Sequence, residues 1–123
     1  MKYQYIQDPG HGWVGVPEAE LIELGITGDI TFYSYMGSDR VVWLEEDCDL
    51  STWLDAKLSL TKLPNGRLDD ASRSRASKWF EENIESEYAD RTPIHNMKAY
   101  NGGWKRRLST TRSNATPELV PTR

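Results

Sequence analysis

The chain has 123 residues, 37% of them hydrophobic and 28% charged, with a net charge of −4. That length supports one domain around a modest core. No run approaches the roughly 20 apolar residues that span a bilayer, and the single cysteine, Cys48, excludes both a disulfide framework within the chain and a zinc site built on cysteine alone.

Residues 2–7, KYQYIQ, alternate as a short strand that places Tyr3, Tyr5 and Gln7 on one face. DPGHG at 8–12 is a turn, and Trp13-Val14-Gly15-Val16 returns as a second strand. Pro17 suits a helix start, with Glu18 and Glu20 near its positive end. The stripe Ala19, Leu21, Ile22, Leu24 then runs to a stop at Gly25. ITFYSYM at 30–36 and VVWLEE at 41–46, joined through Gly37-Ser38-Asp39-Arg40, predict a β-hairpin. Asp49 or Ser51 is expected to cap the next helix, whose stripe is Leu50, Trp53, Leu54, Leu58, ended by Pro64-Asn65-Gly66. A further helix is expected from Asp69 or Asp70 to about Glu87, carried by Ala76, Trp79, Phe80, Ile84 and Tyr88 at helical spacing. Residues 92–100 read as a last strand. The expected fold is α+β: a small antiparallel sheet, made of the hairpin at 30–46 plus short N-terminal strands, packed with two or three helices. Residues 1–100 form the single domain, and 101–123 a basic, flexible tail.

Charge is unevenly spread along this plan. Residues 1–100 carry 10 Lys/Arg against 18 Asp/Glu, whereas 101–123 carry five against one. An acidic body repels phosphate backbones, so direct nucleic-acid binding by the folded part is not expected; Lys105, Arg106 and Arg107 are the candidate tail contacts.

The cluster Glu45-Glu46-Asp47-Cys48-Asp49 sets four carboxylates within five residues. Adjacent strand residues point to opposite faces, so Glu45 and Glu46 cannot both face one ion. A strand end running into a helix start accounts for the cluster, and an acidic recognition patch is its functional alternative. A small metal-dependent enzyme using His11 with these acids is a further alternative, yet His11 and His95 lack metal-ligand spacing. Acidic neighbours disfavour a Cys48 thiolate. GHGWVG at 10–15 lacks the G-K-[ST] ending of a phosphate loop. Phe32, Tyr33, Tyr35 and Trp43 form a candidate aromatic surface, but the segment from Asp29 to Leu60 holds two basic and seven acidic residues, which suits a protein contact or plain core rather than base stacking. No catalytic residue, metal or cofactor is expected.

Three segments, DPGHGWVGVPEAELIELGI at 8–26, ITFYSYMGSDRVVWLEEDCD at 30–49 and RTPIHNMKAY at 91–100, resemble a group of small, mostly uncharacterised proteins of bacteriophages, prophages and plasmids. The resemblance implies a mobile-element origin and brings no catalytic residues. With the charge split, it leads to the expectation of a cytoplasmic accessory protein that binds and inhibits a host protein, of the kind represented by anti-CRISPR and anti-restriction proteins acting on nucleic-acid-handling defence machines. Glu45, Glu46, Asp47, Asp49, Trp13, Tyr33 and Tyr35 are the candidate binding residues; a structural or regulatory phage component with a DNA-contacting tail is the alternative.

Overall fold

The structure, a computed structural model, describes residues 2–90 and 92–102. In chain order they form β1 (Tyr3–Gln7), β2 (Gly12–Pro17), α1 (Glu18–Leu24), a 3-10 turn (Thr27–Asp29), β3 (Tyr35–Met36), β4 (Val41–Glu45), α2 (Asp49–Leu58), α3 (Asp70–Asn83), β5 (Ile84–Tyr88), a second 3-10 turn (Pro93–Asn96) and β6 (Lys98–Ala99). The α+β class follows, with the strands in one sheet of order β5-β1-β2-β4-β3-β6.

The sheet is mixed rather than antiparallel, because β5 lies parallel to β1, from Tyr3 opposite Ile84 to Gln7 opposite Tyr88. The residues expected to end the third helix therefore form an edge strand. Phe80, Ile84 and Tyr88 keep a four-residue spacing that fits a helix, but Ile84 gains more by joining the core beside Tyr3. The other end of α3 is as expected: the Asp69 side chain accepts from Ser72 N at 2.8 Å as an N-cap.

The hairpin is shorter than the sequence suggests. Only Tyr35–Met36 and Val41–Glu45 pair, because the Asp49 carboxylate, 1% exposed, draws residues 31–34 out of the sheet. It accepts from Thr31 N at 3.0 Å, from Thr31 Oγ1 at 2.7 Å and from Ser34 Oγ at 2.5 Å. Asp49 is thus not the cap of α2; Cys48 occupies that position without a capping side-chain bond, and the Ser51 hydroxyl donates to Cys48 O. The expected last strand shrinks to Lys98–Ala99, since Thr92 and Pro93 start a 3-10 turn, with Thr92 Oγ1 accepting from Ile94 N.

All three helices pack on one face of the sheet. There Tyr3, Val14, Val16, Val42 and Leu44 meet Leu21 of α1, Trp53 of α2 and Trp79 and Phe80 of α3. Within the α1 stripe only part is used: Leu21 is buried while Ala19 and Ile22 face solvent. Gly25 adopts φ 72°, the left-handed conformation that closes α1. The opposite face carries Trp13 and Trp43, covered by Ile94 and flanked by Ile6, Tyr35, Val41 and Met97. Gly15 lies under the Trp43 ring, where an added Cβ would come within 2.8 Å of it. Among the described residues no helix is long and apolar enough to cross a membrane.

Candidate functional site

The face opposite the three described helices holds a cleft of about 380 Å3, within the range of small-ligand sites. Its walls are the rings of Trp13, Tyr33 and Tyr35, with the carboxylates of Glu45 and Asp47 beside them; His11, His95 and Cys48 complete the lining. Strand register explains the convergence. Trp13 on β2 pairs with Glu45 on β4, and Tyr35 on β3 pairs with Trp43, so these side chains share one face.

The rim is fixed by Asp8. Its Oδ1 accepts from Gly10 N at 2.9 Å and His11 N at 2.8 Å, which shapes the DPGH turn, and its Oδ2 lies 2.9 Å from His95 Nε2. One carboxylate therefore ties the turn after β1 to the 3-10 turn that precedes β6. The His95 bond holds the Asp8 carboxyl below the usual range, helped by the two backbone donors. The Trp13 ring stands edge-on to His95 at 5.1 Å and to Tyr35 at 6.4 Å. Its indole Nε1–H is buried with no acceptor among the described residues, as is that of Trp43.

The acidic cluster divides three ways. Glu45, 6% exposed, turns its Oε1 toward the following turn, accepting from Asp47 N and Cys48 N at 3.0 Å each. Glu46 points to the helix-bearing face and accepts from the Tyr5 hydroxyl. Burial and that carboxylate push the Tyr5 phenol up to about 12. Asp49 is the internal clamp on residues 31–34. Asp47 is exposed, and its side chain forms no hydrogen bond or ion pair among the described residues.

Of the candidate binding residues, Trp13, Tyr33, Tyr35, Glu45 and Asp47 come together in the cleft, whereas Glu46 and Asp49 do not. Lys105, Arg106 and Arg107 lie outside the described residues. No group of three or more His, Cys, Asp or Glu among the described residues is arranged to hold a metal, so the pairing of His11 with the 45–49 acids gains no support. Desolvation and the charges of Glu45, Asp49 and Asp47 push the Cys48 thiol up, so it is not primed as a nucleophile.

Sequence reasoning underrated His95 and Phe32. The Asp49 clamp turns Phe32 and Tyr33 outward, 67% and 59% exposed, with their rings 5.3 Å apart. Large aromatics exposed side by side are uncommon on a surface that contacts only water. The sequence matches no protein-family model, no curated protein and no solved structure.

Proposed function

We propose that this chain is a small binding protein of a mobile genetic element, acting in the bacterial cytoplasm to engage and inhibit a cationic host protein of the nucleic-acid-handling defence class. One observation carries the reading: Phe32 and Tyr33 are held outward by a buried carboxylate, beside the acidic cleft and on the sheet face that none of the described helices covers. Exposed rings supply the apolar anchors of an interface, and carboxylates around them select a basic partner and speed its encounter. The resemblance in residues 8–49 supports the mobile-element setting, and the acidic body supports a protein partner over a nucleic acid.

The test is affinity capture of the full chain from a bacterial lysate with identification by mass spectrometry. A stoichiometric basic partner is expected, released by salt and lost with Phe32→Ser/Tyr33→Ser or Asp47→Lys. Recovery of none, or retention by both variants, would overturn the reading.

A further inference from the structure

We infer that the cleft receives an arginine side chain of the partner protein. The inference deepens the binder reading and rests on it. Three aromatic walls, Trp13, Tyr33 and Tyr35, surround a space that also carries the carboxylates of Glu45 and Asp47, and among the described residues no Lys or Arg contributes to the lining. Ring faces and carboxylates attract the same kind of guest, a cation that keeps an apolar stem.

The same chain shows what such a combination accepts. On the opposite face, Lys57 Nζ stands 5.5 Å from the Tyr3 ring, 6.0 Å from Trp53 and 5.8 Å from Trp79, and 3.1 Å from a Glu20 carboxylate oxygen. That cage is filled by an ammonium from its own helix. The cleft repeats the ingredients, rings plus carboxylate, with no Lys or Arg among the described lining residues and with His95 already paired to Asp8. Two features favour guanidinium over ammonium as its guest. The cleft offers two carboxylates rather than one, and a planar fork of five donors can serve both. Flat rings also stack against a flat cation better than against a tetrahedral one. Asp47, exposed and unengaged by other described side chains, is the group that meets the incoming charge.

The experiment uses the 15N-labelled full chain titrated with the peptide acetyl-Gly-Arg-Gly-amide, with its citrulline and lysine counterparts as neutral and ammonium controls. The arginine peptide is expected to shift the Trp13 indole N–H and the Tyr33 and Tyr35 amides, with affinity about tenfold above citrulline. Asp47→Asn, whose melting temperature should match the parent, is expected to lower that affinity about fivefold. Equal binding of citrulline, or tighter binding of lysine, would overturn the guanidinium assignment. Movement of the same resonances on Arg106→Gln/Arg107→Gln without peptide would give the cleft to this chain's own C-terminal residues and overturn the partner assignment. The two readings fail separately. A captured partner with an unresponsive cleft removes the arginine inference alone, whereas a responsive cleft with no captured partner removes the binder reading and leaves a guanidinium site.

Discussion

On the helix-bearing face of the sheet, Tyr3, Trp53 and Trp79 gather around Lys57, and Glu20 completes their cage. On the other face, Trp13, Tyr33 and Tyr35 gather with Glu45 and Asp47 around open space. Similar residue types thus do different work. In the first cluster one carboxylate gathers three donors: Glu20 takes the Tyr3 hydroxyl and the Trp53 indole N–H at 2.7 Å each, besides Lys57. In the second, the Trp13 indole donor and the Asp47 carboxylate remain unengaged within the described residues. Satisfied polar groups stabilise a fold, whereas an exposed, unpaired carboxylate such as that of Asp47 leaves interaction energy available for a partner. The comparison separates a stability element from a recognition element by what each has left unpaired.

Substitutions sharpen this contrast. Trp53→Ala removes a fully buried ring from the filled cage and should cost about 3–5 kcal/mol in denaturant unfolding. Asp49→Ala strips three donors on Thr31 and Ser34 of their acceptor and should cost about 3 kcal/mol. It should also abolish partner capture in the folded fraction, because Phe32 and Tyr33 lose their support. Glu20→Gln should cost about 1 kcal/mol, and its effect carries a pH signature. Burial pushes the Glu20 carboxyl up, but bonds from Tyr3, Trp53 and Lys57 outweigh it and hold the pKa below its ordinary value of 4.5. A depressed carboxyl contributes stability that is complete above the unfolded-state value and is lost as pH falls through the folded-state value. Unfolding measured from pH 6 downward should therefore fall less steeply below 4.5 for Glu20→Gln than for the parent. Asp47→Asn in the open cluster should change stability by less than about 0.5 kcal/mol while weakening cation binding. A large stability loss there, or none at Trp53, would dissolve the distinction between the clusters. Glu45 is a poor probe by comparison, since reversing its charge also breaks the turn that it caps.

Local chemistry made several elements legible in the sequence. Gly25 as a helix stop, Asp69 as a cap and the Tyr3/Tyr5 alternation depend on neighbours within a few residues. The alternation in VVWLEE likewise separates Glu45 from Glu46, and the structure sends them to opposite faces. Missed features are those in which a distant partner outbids a local preference. The residues of β5 keep helical spacing and become a strand through pairing with β1. Thr31 and Ser34 sit in a β-rich run, yet their donors go to Asp49 on another element. For the candidate site, residue types were readable but their convergence was not. It depends on the β2–β4 and β3–β4 registers and on Asp8 reaching His95, which lies 87 residues away.

The parallel pairing of β1 with β5 also governs the order in which the chain can be assembled. Among the described strands β1 comes first in the chain yet is an inner strand of the sheet, and its neighbour on one side, β5, follows about 80 residues later. The β1–β2 hairpin can close early, as a local contact. Until residues 84–88 are synthesised, however, the outer hydrogen-bonding groups of β1 are open to other chains. Closing so long a loop raises contact order and slows the final step. During that interval β1 itself, YQYIQ, carries no charge, and only Lys2 and Asp8 at its two ends can keep copies apart.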